Sequence, residues 1–357
     1  MKLAIRARQA WTIAQLQLSR VFFSRRSFWV YLLALFPAVI FLMAGVESTL
    51  KRSNWTPNAV SPAVMESIRE GDTEEDVLRK APTPIHTRNY NRQEDEDEDE
   101  VAYSQLDYFD GKRQWFLHFE DGVLQGIDNR VLIDFGRNRQ IFAAVFHHFY
   151  LRLAVFFGCL GIFMNLFRGE MLDKTLHYWF LVPARREVLL IGKYLAGLIA
   201  ATVIFAAGAV LAYAVMLWPQ DPAELQSFWQ DHGVSHALAY AASAALGCVG
   251  YGSVFLAAGL LLRNPIVPAI VILAWEAVNP VLPAALQKLS VLYYVQSLAP
   301  VPVPMDNGAP LLIRLLGSPA EPPTAAVAIL GMLGLTAVVL WGASRIVNLL
   351  EIDYGTD

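Results

Sequence analysis

The sequence predicts an all-α polytopic membrane protein with six transmembrane helices and a small α+β extracytoplasmic domain. Of the 357 residues, 55% are hydrophobic and only 17% are charged, whereas soluble domains carry about 25% charged residues. The apolar residues are concentrated in runs of about 20, the length that a helix needs to cross a bilayer. A long polar segment with turn signals separates the first two runs. These observations predict four regions, namely an interfacial helix (1–27), a first span (28–46), an outer domain (47–141) and the remaining spans (142–357).

Six apolar segments have the length of a transmembrane helix. The fifth carries an acid, Glu276, and the second has His147, His148 and Arg152 near its start. The segments are 28–46, 142–167, 194–218, 237–262, 265–286 and 325–344. Cys159 and Cys248 both fall inside these segments, so we expect no disulfide framework in the outer domain.

The distribution of Lys and Arg predicts the orientation of the spans. Arginines and a lysine precede the first span without any acid, and five more basic residues occupy the connection between spans two and three. Residues 219–236 contain neither Lys nor Arg. We therefore expect both termini to be cytoplasmic and the segment 47–141 to lie outside. The basic segment 1–27 mixes arginines with apolar residues and is predicted to be an amphipathic helix on membrane lipids, or else a flexible leader.

The outer segment begins with two short helices around Gly71, and Thr73 is expected to cap the second with Asp76 at the reciprocal position. Residues 94–100 read EDEDEDE. Like charges at this density favour a solvated loop; calcium binding is the alternative, but the glycine of a usual calcium loop is missing.

Three strands are predicted after the acidic run, at 101–109, 113–120 and 123–127. Asp110-Gly111 and Asp121-Gly122 separate them, and Asp-Gly between apolar alternations is a strong hairpin signal. Trp115, Leu117 and Phe119 should line one face and pack on the helices.

This outer segment resembles the SmpA/BamE-like fold of small outer-membrane assembly lipoproteins. The resemblance implies contact with an envelope protein and no catalysis. The lipidated cysteine of that family is missing, and the acidic tract is inserted. The matching positions are Gly71, Thr73, Val77, Pro82, Phe119, Asp121, Gly122 and Leu124.

The connection between spans two and three, residues 168–193, reads RGEMLDKTLHYWFLVPARREVLLIGK. Glu170 can continue the second span as a cytoplasmic helix, Pro183 should break that helix, and the following residues restart it. The alternative is an ordinary basic loop that only fixes topology.

This connection resembles the cytoplasmic loop of type 2 permeases of ATP-binding-cassette (ABC) transporters, with Lys174 at the position of the usual glycine. The resemblance implies a coupling helix seated on a separate ABC ATPase subunit, which binds the ATP, and a second permease chain, identical or related. It also implies a bacterial cytoplasmic (inner) membrane protein that exports a substrate. The residues expected to couple to the ATPase are Glu170, Thr175, Leu176, Pro183, Arg186, Gly192 and Lys193.

No enzyme activity, cofactor or nucleic-acid partner is expected of this chain. It has no Gly-x-x-x-x-Gly-Lys-Ser/Thr loop that could hold phosphates, and Gly192-Lys193 lacks the other elements of that motif. His232 and His236 lie one helical turn apart, but a metal site needs three or four ligands. A membrane enzyme is therefore disfavoured, whereas an envelope assembly or signalling protein that acts through its outer domain is the main alternative to a permease.

Glu276 and Asn279 are the polar candidates inside the spans. An acid in hydrocarbon is costly unless it has a partner or water. The pair is predicted either to line a substrate path or to make a structural hydrogen bond to a neighbouring helix.

Overall fold

The computed structural model describes residues 2–23, 27–92, 101–172, 184–262, 264–279, 282–302 and 322–349. It divides into two compact units. One comprises residues 1–40, 139–215 and 226–357, and the other comprises residues 41–138 and 216–225. The first unit is helical, and the second contains a four-stranded antiparallel sheet.

The N-terminal half of the chain supplies two long helices and the elements of the sheet unit. In chain order, these are α1 (Lys2–Phe23), α2 (Ser27–Trp55), α3 (Pro62–Glu66), α4 (Glu74–Lys80), β1 (His86–Arg92), β2 (Val101–Phe109), β3 (Arg113–Glu120) and β4 (Val123–Val131).

In the second half, every regular element that the structure describes is a helix. Its elements are α5 (Phe135–Val145), a π-helical segment (Phe146–Ala154), α6 (Val155–Leu172), α7 (Arg186–Leu217), α8 (Pro222–Phe228), a second π-helical segment (Trp229–Gly233), α9 (Val234–Leu261), α10 (Ile266–Val278), α11 (Ala284–Gln287), α12 (Val291–Gln296) and α13 (Ala325–Leu349).

Five helical stretches are long and apolar enough to cross a bilayer, as in a multi-pass membrane protein. They are Ser27–Asn58, Phe135–Phe167, Arg186–Leu217, Pro222–Leu261 and Ala325–Asn348. The predicted fifth span, 265–286, does not form one span-length helix in the residues that the structure describes. Its helix α10 has 13 residues, which cover about 20 Å and fall short of a hydrocarbon core of about 30 Å. Pro283 has an extended ψ of 144° and starts the separate helix α11, so the apolar run is divided.

Residues Lys2–Phe23 form the helix α1, whereas the predicted position of this helix at the cytoplasmic membrane surface stays a prediction. Its buried positions recur three or four residues apart, as on one face of a helix. They are Ala10, Ile13, Ala14, Gln17 and Val21. All but one are apolar, and the exception, Gln17, lies in the middle of the face.

In the sheet unit, four strands form an antiparallel meander in the order β1-β2-β3-β4. The predicted bounds of β2 and β3 are confirmed, and β4 runs on to Val131. Both Asp-Gly turns adopt the left-handed backbone that such hairpins need, with φ of 97° at Gly111 and 76° at Gly122. The strand β1 was not predicted, because its sequence HTRNYNR is polar and shows no apolar alternation.

One face of the sheet packs on the two short helices, as predicted. Trp115, Leu117 and Phe119 are buried together with Met65 of α3 and Val77 of α4. The hydroxyl of Thr73 accepts a hydrogen bond from the backbone N–H of Asp76 at 3.3 Å, and it donates to the carboxylate of Asp76 at 2.8 Å. Thr73 and Asp76 therefore form the cap of α4, as predicted. The Asp76 carboxylate accepts from the hydroxyl of Thr73, whereas in a capping box it would accept from the backbone N–H of Thr73.

A candidate functional site at the connection between α6 and α7

A buried ion pair joins the end of α6 to the start of α7. The Nζ atom of Lys193 lies 2.5 Å from Oε2 of Glu170, and the side chains are 0% and 9% exposed. Lys193 also donates to the backbone carbonyl of Leu166 at 2.6 Å, and its Nζ lies 4.9 Å from the ring centre of Phe167. A buried charge is tolerated when it has a partner and further hydrogen bonds, and both conditions hold here.

The amphipathic helix α1 completes this cluster. Gln17 is 3% exposed, and its Nε2 donates to Oε1 of Glu170 at 2.6 Å. Each oxygen of the carboxylate thus has a partner on a different helix, Gln17 on α1 and Lys193 on α7. The three residues connect α1, α6 and α7, and we refer to them as the Gln17–Glu170–Lys193 cluster.

The backbones of α1 and α7 approach each other beside this cluster. A Cβ atom added to Gly192 would lie 2.8 Å from the carbonyl oxygen of Ala10 and 2.8 Å from Cβ of Ile13. Ala10 and Ile13 also form an apolar cluster with Val188 and Leu189 of α7. Gly192 is therefore needed for a close helix contact, which is independent of any role in binding an ATPase.

The start of α7 also contacts the end of the last helix, α13. The guanidinium of Arg186 donates to the backbone carbonyls of Val347 at 3.4 Å and Asn348 at 3.3 Å. The amide of Asn348 donates to Glu187 at 3.2 Å. A cation is favourable at the last carbonyls of a helix, so Arg186 fixes the end of α13 at the same end of the bundle as α1 and the connection.

The structure brings Glu170, Arg186, Gly192 and Lys193 to one end of the helical unit. The other three predicted coupling residues, Thr175, Leu176 and Pro183, lie outside the described residues. Gln17 was missed by sequence reasoning. Its signal was a polar residue within the otherwise apolar face of α1.

Glu276 has several hydrogen-bond donors within the helical unit. It accepts from the hydroxyl of Tyr251 at 3.3 Å, from the backbone N–H of Val291 at 3.0 Å, and from the hydroxyl of Ser290. Ser290 is also the N-cap of α12 and accepts from the N–H of Tyr293. The carboxylate therefore joins α10 to α9 and to the start of α12. Such contacts are expected if Glu276 makes structural hydrogen bonds to neighbouring helices.

Asn279 follows Glu276 at the end of α10 and is also buried. Its amide donates to the backbone carbonyl of Gln287 at 3.4 Å. This contact links α10 to the end of α11, so both polar residues of the fifth apolar segment bind neighbouring backbone or side chains.

Among the residues that the structure describes, no group of three or more His, Cys, Asp or Glu side chains could hold a metal ion. Neither the protein-family models nor the curated proteins compared with this chain give a match.

Proposed function

We propose that this chain is the membrane-spanning subunit of an ABC transporter, with ATP bound and hydrolysed by a separate subunit that docks on the connection between α6 and α7. The observation that carries the proposal is the Gln17–Glu170–Lys193 cluster. It joins both helices that flank the connection. Because the two helix ends are linked through a buried ion pair, a force applied to residues 173–183 would act on α6 and α7 together.

The position of the chain ends supports this proposal. The helix α1 binds Glu170 through Gln17, and the end of α13 binds Arg186. The helix α1 and the C-terminal end of α13 therefore lie at the same end of the helical unit as the connection. This agrees with the orientation that the basic residues favour, in which the connection and both termini are cytoplasmic.

In this proposal, the cluster connects α6 and α7 rigidly. ATP binding would bring two ATPase subunits together, and the connection would follow the ATPase surface on which it rests. The buried pair would then move α6 and α7 as one body against the rest of the bundle, as packed helices shift between discrete arrangements. A second copy of this chain, or a related chain, would supply the other half of the substrate path. The proposed direction is export from the bacterial cytoplasmic membrane.

The test is co-expression of the full chain with the ABC ATPase encoded nearest to it in its genome. We expect the two to co-purify, and we expect the membrane subunit to change the rate of ATP hydrolysis in reconstituted vesicles. Glu170→Gln keeps the shape of the side chain but removes its charge. We expect that variant still to bind the ATPase. It should lose at least about half of the change in the rate of ATP hydrolysis, because the connection between α6 and α7 is weakened.

A matched control comes from an exposed pair of the same residue types. Glu47 and Lys51 of α2 also lie 2.5 Å apart, but their side chains are 65% and 45% exposed. Glu47→Gln should leave the rate of ATP hydrolysis as in the wild type. Failure of the unaltered chain to bind the ATPase would contradict the proposal, and so would equal behaviour of the two variants.

A further inference from the structure

A second polar cluster lies at the other end of the helical unit. Tyr213 is 20 residues after Lys193 on α7, which places it about 30 Å further along the same helix. Its ring packs against Phe142 of α5 at 5.4 Å and against Tyr240 of α9 at 5.4 Å. Arg139 of α5 lies beside this aromatic group. The cluster therefore combines residues from three helices that are far apart in the sequence.

Two buried polar atoms in this cluster have no hydrogen-bond partner among the residues that the structure describes. They are the hydroxyl of Tyr213, whose side chain is 2% exposed, and Nδ1 of His236. A buried polar atom without a partner costs about 1–3 kcal/mol, and most such atoms in proteins have one. The ring of Tyr213 packs on Tyr240, which lies one helical turn from His236 on α9, so the two atoms together indicate a group that binds there.

Arg139 gives this place a positive charge. Its guanidinium carbon lies 4.9 Å from the ring centre of Phe228, and that ring is 5.4 Å from the ring of His236. Arg139 also lies three residues before Phe142 on α5, and the ring of Phe142 packs on Tyr213. Arg139, the hydroxyl of Tyr213 and the imidazole of His236 are all able to donate a hydrogen bond. Such a set of donors matches an oxyanion.

We propose that Arg139, Tyr213 and His236 bind the phosphate group of an anionic phospholipid. Exposed apolar side chains flank the cluster: Trp229 is 42% exposed, Val234 59% and Leu238 64%. Headgroup phosphates lie at the ends of membrane-crossing helices, where tryptophan is also enriched. The exposed side chains would contact the glycerol and the acyl chains, while the polar cluster holds the phosphate. This site is separate from the proposed coupling to an ATPase and does not depend on it.

The experiment uses the full chain, purified in a nonionic detergent and freed of lipid. Thermal unfolding is followed while dioctanoyl phosphatidylglycerol is added. We expect the lipid to raise the unfolding temperature, and Arg139→Gln to need at least about tenfold more lipid for the same rise, since a charge-assisted hydrogen bond is lost. Arg137→Gln is the control, because Arg137 lies two residues earlier on the same helix and is exposed.

Tyr213→Phe separates a binding role from a structural one. It removes only a hydroxyl that has no described partner, so the unfolding temperature without lipid should stay the same or rise. The effect of the lipid should nevertheless weaken about threefold. If Arg139→Gln does not fold, this variant decides the matter, and an undiminished lipid effect in it would overturn the proposal.

Two further ligands distinguish the source of the phosphate. Dioctanoylglycerol has the same acyl chains without a phosphate, and inorganic phosphate has no acyl chains. We expect neither to reproduce the rise at the same concentration. An equal rise with dioctanoylglycerol would overturn the phosphate site, and an equal rise with inorganic phosphate would overturn its assignment to a lipid. Indistinguishable curves for Arg139→Gln and Arg137→Gln would also overturn it.

Discussion

Lys193 and Glu170 form an ion pair with an N–O distance of 2.5 Å, and neither side chain is more than 9% exposed. The two residues are 23 positions apart in the sequence, on the two helices that flank the connection between α6 and α7. Gln17 binds the second oxygen of the same carboxylate. Through these two contacts, the cluster holds the N-terminal helix and the two flanking helices together.

The first prediction concerns the stability of this pair. Lys193→Met removes the Lys193 cation from the buried carboxylate of Glu170, and breaking a buried ion pair costs about 3–5 kcal/mol. We expect a large loss of stability in detergent, measured as the free energy of unfolding in denaturant.

The exposed pair Glu47–Lys51 has the same N–O distance and serves as the control. An exposed pair contributes about 0–1 kcal/mol, so Lys51→Met should cost little. The double variant with Glu170→Gln and Lys193→Met should recover part of the loss, because both charges of the pair are then removed. A similar loss for Lys193→Met and Lys51→Met would contradict the prediction.

The second prediction concerns the close approach of α1 to α7. The Cβ of Gly192→Ala would lie 2.8 Å from the carbonyl oxygen of Ala10, so the helices must separate. Overpacking of this kind costs about 1–3 kcal/mol. We expect faster cleavage of α1 by trypsin at Arg6 and Arg8, measured on the purified chain.

Gly334 of α13 is the control for this substitution. A Cβ at that position would meet nothing within 4 Å. Gly334→Ala should therefore leave the cleavage of α1 unchanged and stabilise its own helix by up to about 1 kcal/mol. If Gly192→Ala is cleaved at the wild-type rate, α1 is not held by this contact.

Local sequence signals were sufficient for several elements. The strands β2 and β3 have the predicted bounds, because apolar alternation and the two Asp-Gly turns fix both the ends and the register of a hairpin. The strand β1 escaped prediction because it is a polar edge strand. Edge strands are often polar, which protects them against pairing with other chains, so the alternation that reveals a strand is missing.

Contacts between distant residues were not predictable in the same way. Gln17 and Glu170 are 153 positions apart, and nothing in the sequence around Gln17 names its partner. Glu276 was recognised as unusual, since an acid within an apolar run needs a partner. Its partners Tyr251 and Ser290 became visible only with the packing of α9, α10 and α12. The length of the fifth apolar run was misleading, because hydropathy does not show where prolines divide a helix.

The third prediction concerns Glu276. Glu276→Ala would leave the donors of Tyr251, Ser290 and Val291 without their acceptor. Each unpaired buried donor costs about 1–3 kcal/mol, so the amount of folded protein in the membrane should fall strongly. Glu276→Gln keeps one acceptor oxygen and should fall less. Tyr251→Phe, which removes the long 3.3 Å contact, should have the smallest effect.

Expression of each variant as a fluorescent fusion, with size-exclusion chromatography in detergent, measures the folded fraction. The order wild type, Tyr251→Phe, Glu276→Gln, Glu276→Ala is expected. Wild-type amounts for Glu276→Ala would show that this carboxylate does not hold α10 to its neighbours, and the substrate-path alternative would then gain support.

The fourth prediction is that the sheet unit folds as a soluble fragment when the backbone hydrogen bonds at both ends of the fragment are kept. The N–H of Val60 donates to the carbonyl of Phe109 at 2.8 Å, and the N–H of Leu132 donates to the carbonyl of Lys112 at 3.0 Å. A fragment of residues 59–134 keeps both bonds, whereas residues 61–128 lose both. We expect cooperative urea unfolding of the longer fragment, with a clearly lower midpoint for the shorter one. Equal midpoints would contradict the role given to these two bonds.

The fifth prediction concerns the pH dependence of the longer fragment. Burial acts to raise the pKa of Asp110, but hydrogen bonds from the N–H of Arg113, the indole of Trp115 and the N–H of Lys112 outweigh it and hold that pKa below its usual value. A carboxylate whose pKa is lower in the folded state stabilises the fold above its unfolded pKa of about 3.9. That contribution is lost as the pH falls through the lower, folded pKa. Asp110→Asn should therefore destabilise the fragment by about 1 kcal/mol at pH 7, and the difference from the wild type should shrink between about pH 4 and pH 2.

Urea midpoints at each pH measure this difference in stability. Glu66→Gln, at an exposed position, is the control for a change in net charge. A difference that stays constant down to pH 2 would mean that the ionised carboxylate does not stabilise the turn.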